Sequence, residues 1–291
     1  MNEDIFAHYM SAGVIANKIL RQAEGMIREG VLIAEVVEAT ENTIIEEGAG
    51  IAFPLNISRN EDAAHDTARY EDDRTFAAGD LVKVDLGVHV DGYIADTALT
   101  VDLGKNDLLV EASKAALNRA ISLVRPGVTV GEIGAAIQEE IQSRGYRPVA
   151  NLTGHGLDRF MLHGKPTIPN IGIQGGPEIE EGMVFAIEPF ATTGSGYVSE
   201  SPRVEIFQQT AMKPVRLPAA KKILNEIRAN NGLPFAKRML PQNKVDLALS
   251  TLRRQEILHA YPVLHDIPGS LVSQAEHTMI VTEDGCVVTT A

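Results

Sequence analysis

LVKVDLGVHV (81–90) alternates apolar and polar positions, Asp91-Gly92 supplies two residues that tolerate positive φ, and YIADTALTV (93–101) returns as a second strand. The stretch reads as a β-hairpin with Asp85 on one arm and Asp96 on the other, both facing the same way. With the turn centred near Val90-Asp91, the two aspartates stand across the ladder from each other, about 5 Å apart at Cα. Facing carboxylates repel and raise one pKa unless positive charge lies between them, so the pair invites a cation. A solvated hairpin with two surface acids is the plainer reading of this pair taken alone.

Upstream, apolar residues at Ile5, Phe6, Tyr9, Met10, Ile19, Leu20, Ala23, Met26 and Ile27 keep a helical period that stops at Gly30. A second helix is predicted from about Leu32 to Ile45, ending at Gly48. Pro54, Asn56 and Asn60 mark FPLNISRNEDAAHD (53–66), which contains His65, as loop or short strand. Downstream, a helix follows Asn106 through Leu123, and a capping box of Thr129 and Glu132 opens another that ends at Gly145. Gly and Pro divide Val149 to Phe190 into loops and short strands, with MVFAIEPF (183–190) a buried strand closing on Glu188-Pro189. Helices are predicted at Pro218–Ala229 and Lys244–His259, so residues 192–261 read as an inserted helical subdomain. Residues 1–191 and 262–291 form the main domain, where SLVSQAEHTMIV (270–281) resumes a strand pattern and Asp284-Gly285 turns into a final CVVTT. The class is mixed α/β.

The 291 residues are 44% hydrophobic and 22% charged, ordinary for a globular chain. A formal charge of −13 argues against broad attachment to nucleic acid or anionic lipid, because phosphate binding needs clustered Lys and Arg that no face obviously supplies. The single cysteine, Cys286, excludes an internal disulfide and suits a reducing compartment. Acids occupy the N-terminus where a signal peptide carries positive charge, and no run of about 18 apolar residues occurs. The chain reads as soluble and cytoplasmic.

Three further groups follow the hairpin in order. His155 lies between glycines in TGHGLDRFMLHG (153–164), which also holds His163, and glycine lets backbone pass close to a metal. Glu188 closes an apolar strand and Glu276 interrupts another; burying either bare costs several kcal/mol. Each alone is as well explained by a surface or core role. Together Asp85, Asp96, His155, Glu188 and Glu276 offer four carboxylates and one imidazole, whose charge of −4 two divalent cations balance. Two ions about 3.5 to 4 Å apart acidify a shared water, polarise a carbonyl and steady a tetrahedral oxyanion, which is the chemistry of peptide hydrolysis. Oxygen-rich ligation suits Mn²⁺, Fe²⁺ or Co²⁺ at least as well as Zn²⁺.

VDLGVHVDGYIAD (84–96), GHGLDRFMLHG (154–164), FAIEP (185–189) and QAEHT (274–278) resemble, in that order, the metal-binding signatures of methionine aminopeptidases. The long segment after Glu188 resembles type 2 members, in their short archaeal form. The resemblance implies the pita-bread fold, two pseudo-symmetric halves of antiparallel strands and helices around a dimetal centre. It implies that Asp85 chelates one metal, that Asp96 and Glu276 bridge both, and that His155 with Glu188 completes the other. Glu188 is also similar in position to the family's proton shuttle. His65 and His163 match histidines that contact the scissile group, and Phe53 matches a wall of the methionine pocket. The implied substrates are nascent polypeptides and peptides with N-terminal Met and a small second residue, cut by a monomer working in ribosome proximity. A prolidase or aminopeptidase P shares fold and ligands but usually carries a sizeable N-terminal domain, for which the roughly eighty residues before Asp85 leave no room. A non-catalytic protein- or RNA-binding member of the fold is the alternative from a different class, and retention of all five ligands argues against it.

Overall fold

The helical period of the first fifty residues yields α1 (Glu3–Met26) and α2 (Ile33–Glu46) in the computed structural model, which describes residues 1–291. There follow β1 (Gly50–Arg59), β2 (Asp62–Ala64), β3 (Leu81–Val90) and β4 (Tyr93–Asp102). Next come α3 (Asp107–Ile121) and α4 (Val130–Ser143), the latter opened by the Thr129–Glu132 capping box. β5 (Arg147–Pro148), β6 (Thr153–Asp158), β7 (Met161–Pro169), β8 (Val184–Ile187), β9 (Phe190–Thr192) and β10 (Ser199–Gln209) precede α5 (Pro218–Glu226). After β11 (Phe235–Ala236) and α6 (Val245–Arg254), the chain closes with β12 (Leu258–His265), β13 (Val272–Gln274), β14 (His277–Val281) and β15 (Cys286–Val288).

All strand pairs are antiparallel. One sheet has the order β1-β3-β4 and another β15-β14-β8-β6-β7; smaller ones run β13-β9-β5 and β11-β10-β12-β2. The period-2 alternation of β3 sends Val82, Val84, Leu86 and Val88 outward, where they bury against Ile19, Leu20, Ile33 and Val36 of α1 and α2. In the second half, Leu109, Leu117, Ile133 and Ile137 of α3 and α4 bury against Phe185, Ile187 and Met279. Each half is a sheet backed by a helix pair, so the remaining faces are free to meet.

Four expectations change. The hairpin turn is the two-residue Asp91-Gly92, with φ of 50° and 88°, so Asp85 pairs with Ala98 and Asp96 with Gly87. The aspartates share a face but sit diagonally, two residues out of register, rather than directly opposed. The 53–66 stretch that read as loop or short strand begins inside the ten-residue β1. Its Pro54 falls where three steps of β1 (Phe53 to Asn56) oppose two of β3 (Gly87 to Asp85), and a bulge spares proline a ladder hydrogen bond. In the segment read as helical, β10 and β12 pair along much of their length, and α6 ends at Arg254, short of His259. Finally, SLVSQAEHTMIV divides between two sheets, β13 pairing with β9 and β14 with β8, so Glu276 stands at the switch between them.

Lys83, on the site-facing side of β3, is 1% exposed and donates from Nζ to Asn60 O at 2.9 Å. Burial pulls its ammonium down from 10.5 to about 7. Between those values the unfolded chain binds a proton that the folded chain does not, so stability rises with pH across about 7 to 10.5. Lys83→Met removes this slope. In denaturant unfolding the variant should gain on the wild type at pH 7 relative to pH 9.5; parallel curves would show that Lys83 is not neutral in the fold.

Candidate metal centre

The inner face of the first sheet presents two rows across its strands. Asn56, Asp85 and Ala98 form one, and Phe53, Gly87 and Asp96 the next. From the other half, His155 projects from β6, Glu188 follows β8, and Glu276 occupies the β13–β14 switch. The halves are laced at this point. Ala98 and Glu276 exchange backbone hydrogen bonds of 3.3 and 3.0 Å, and Thr97 Oγ1 donates to Glu276 O at 2.9 Å. Thr278 Oγ1 accepts the Asp96 N–H and donates to Asp96 O, both at 2.8 Å.

This lacing brings all five residues together. His155 Nε2 lies 3.6 Å from Asp96 Oδ2 and 3.9 Å from Glu188 Oε1. Donor atoms of Asp96, His155 and Glu276 fall within 4.8 Å of one another. Gln274 Nε2 reaches Asp85 Oδ2 and Glu276 Oε2, each at 3.3 Å. The five side chains sit in a cavity of about 330 Å³ that Phe53, His65 and His163 also line. His163 stands edge-on to His155 with ring centroids 4.6 Å apart, and the left-handed His65 (φ 66°) holds its Nδ1 3.1 Å from Pro262 O.

A model of metallopeptidase family M24 matches residues 7–283. The chain belongs to this family. A methionine aminopeptidase of Archaeoglobus fulgidus is 49% identical over 291 residues, covering the whole of both chains. Among solved structures, the methionine aminopeptidase from Rickettsia prowazekii is 25% identical with a TM-score of 0.74, covering 100% of this chain and 98% of that one. Prolidase from Pyrococcus furiosus shares the fold at 21% identity and a TM-score of 0.67, covering 100% of this chain but 64% of that one. The two helix-backed halves are the pita-bread fold of M24 metallopeptidases.

The electrostatics of the M24 centre are those of a cation site. Burial raises all four carboxyls, Asp85 to about 7. Asp96 is raised further by the charges of Asp85 and Glu188, and Glu276 by Asp96, Asp85 and Glu188. Burial lowers His155 to about 4, so its imidazole is neutral and offers a lone pair rather than a compensating charge. Asp85 Oδ1 and Asp96 Oδ1 are buried without any hydrogen-bond partner. Orphaned carboxylate oxygens beside a neutral imidazole are what a divalent cation requires of its ligands. His65 and His163 are likewise held neutral by burial, at about 4 and about 3.

Sequence reasoning missed three contributors. Tyr261 OH donates to Gln208 Oε1 at 2.5 Å, lies 3.4 Å from His163 Nδ1 and stacks edge-on against His65. Gln274 is spaced two residues from Glu276 and was findable by strand parity. Asn56 is 5% exposed beside Asp85, and nothing in its local sequence marks it.

A folded-state carboxyl raised to about 7 binds a proton that the unfolded chain has released above about 3.8, so its contribution to stability is lost as pH rises through that window. With metal chelated, Asp85→Asn should therefore gain on the wild type in thermal unfolding between pH 4 and 7. A gap constant with pH would place Asp85 in a solvated setting instead.

Proposed function

We propose that the chain is a metal-dependent methionine aminopeptidase, which removes the N-terminal methionine of peptides and nascent proteins whose second residue is small. One observation carries the reading: a buried group of four carboxylates and a neutral imidazole with orphaned oxygens, in a chain of a metallopeptidase family with a full-length methionine aminopeptidase relative. In this reading Asp85 would hold one divalent ion, Asp96 and Glu276 would contribute to holding both, and His155 with Glu188 would hold the other. Mn²⁺, Fe²⁺ or Co²⁺ suits these oxygen-rich ligands. When bound, two such ions supply a Lewis acid that activates water and stabilises developing negative charge on the scissile carbonyl.

The chain's own residues supply the rest. Glu188 is the proton carrier, taking the proton of the attacking water at its carboxylate and delivering it to the leaving amine; burial raises its pKa toward what that transfer requires. His65 gives its Nδ1–H to Pro262 O, which leaves Nε2 as an acceptor for a substrate N–H. His163 gives Nδ1–H to the phenolic oxygen of Tyr261, whose own proton goes to Gln208 Oε1, so its Nε2 is an acceptor too. Phe53, Leu162, Ile206 and Pro234 form apolar walls for an unbranched side chain. Two of these, with Tyr261, come from residues 192–261, the inserted subdomain whose part is to complete the pocket.

Met-Ala-Ser with added Mn²⁺ or Co²⁺ should release methionine while an Xaa-Pro dipeptide stays intact; cleavage of the second alone would favour a prolidase. Glu188→Gln should keep metal but lower kcat by about 100-fold or more, the usual scale of general acid–base catalysis. Near-normal kcat in that variant would remove Glu188 from proton transfer.

A further inference from the structure

Three ion pairs join residues 192–261 to the rest of the chain: Arg203–Asp62, Arg203–Asp66 and Arg238–Glu41. Only in the last are both side chains nearly buried, at 8% and 11% exposure. Glu41 lies on α2 and Arg238 in the 3₁₀ turn Lys237–Met239 that follows β11, so the pair crosses from a helix of the first half to the inserted segment. An ion pair withdrawn from water gains little over an apolar pair of the same volume. What it supplies is direction, through the hydrogen bonds it makes.

Those bonds close a ring. The bulge at Pro54 leaves the buried Leu55 without a ladder partner on β3, and buried backbone groups need partners from elsewhere. Glu41 Oε1 accepts the Leu55 N–H at 3.0 Å, and Thr67 Oγ1 donates to Leu55 O at 2.6 Å. Arg238 reaches both supports: its Nη2 donates to the same Glu41 oxygen, and its Nη1 to Thr67 Oγ1 at 3.0 Å and Ala68 O at 3.3 Å. One guanidinium fork thus ties α2, β1, the stretch after β2 and the inserted segment together. Each arm carries a wall of the metal cavity. Phe53 lies two residues before Leu55, His65 two before Thr67 and Pro234 four before Arg238, and all three line that cavity.

We propose that this ring fixes the spacing of the cavity walls, so that Glu41 and Arg238 are positioning residues that decide which N-terminal side chain is accepted. Neither side chain lines the cavity itself. The selectivity rests on the peptidase reading; the ring does not. A pocket discriminates by size only as far as its walls resist spreading, and one misfitted methylene in an apolar pocket is worth about 10- to 200-fold. Opening the ring frees the β1 bulge from the inserted segment, so the walls yield to a larger side chain. Asp85 and Asp96 stay in place, because β3, β4 and Thr278 hold them.

The test compares the full-length, metal-loaded wild type with E41Q/R238M, in which both charges go together and the glutamine Oε1 still accepts the Leu55 N–H. Release of the first residue is followed from Met-Ala-Ser, Leu-Ala-Ser and Phe-Ala-Ser. The double variant should keep kcat for the Met peptide within about threefold, raise its KM, and lower the preference for Met over Leu and Phe at least about tenfold. Thr67→Val, which opens the other arm with both charges kept, should shift the preference the same way by a smaller factor. K18M/E47Q, which removes an exposed pair remote from the ring, should leave it unchanged. Hydrogen exchange on the same preparations should be faster over residues 51–57 and 65–68 in E41Q/R238M and Thr67→Val alone. R238M by itself strands the Glu41 carboxylate and should melt below the double variant, which tells lost stability from an opened ring. A double variant with the wild-type preference overturns the proposal. Unchanged exchange overturns the ring whether or not any peptide is cut, whereas a wild type that cleaves none of the three sinks the peptidase reading and the selectivity with it.

Discussion

Asp85, Asp96, Glu188 and Glu276 are gathered in the interior with no cationic side chain among them, and the structure is arranged so that this repulsion cannot disperse them. Each carboxylate is carried by an element whose backbone is engaged elsewhere. Asp96 is bonded through both N–H and C=O to Thr278 Oγ1, and Glu276 is paired through its backbone with Ala98 and Thr97. The side chains are thus held at close quarters by hydrogen bonds that do not involve their charges. Affinity for cations is the complement of that arrangement, because a divalent ion removes a penalty that the fold has already incurred.

Neutrality matters as much as charge. Burial depresses His155, His65 and His163, so three imidazoles stand near the carboxylates without neutralising them and present lone pairs instead. Tyr261 and Gln208 connect this imidazole row to residues 192–261, so the segment that shapes the apolar walls also orients the polar ones. Pocket shape and hydrogen-bond polarity are coupled through one tyrosine.

The hairpin, the helices and the order of the five side chains that gather in the cavity were legible because each leaves a local mark: strict alternation, an Asp-Gly turn, a capping box, an acid interrupting an apolar run. Register was less so. A one-residue displacement of the turn centre converts direct opposition of Asp85 and Asp96 into a diagonal, and residue types alone do not resolve that shift. β1 was hidden by Pro54, a breaker in any regular ladder but harmless at a bulge. β10 and β12 were read as parts of a helical insert because their partners are remote in sequence. Tyr261 gave no signal, since its importance lies in what it touches.

The lacing between β4 and the 276–278 segment has a kinetic side. The Asp96–Thr278 contact spans 182 residues and the Ser273–Leu109 hydrogen bond inside the second half spans 164, so one long loop closure serves both. Once α3 has met the 273–281 segment, the short link between β4 and α3 leaves the seam little further loop entropy to lose. A divalent ion held across the seam would act as a latch, slowing the opening of the halves once they have met.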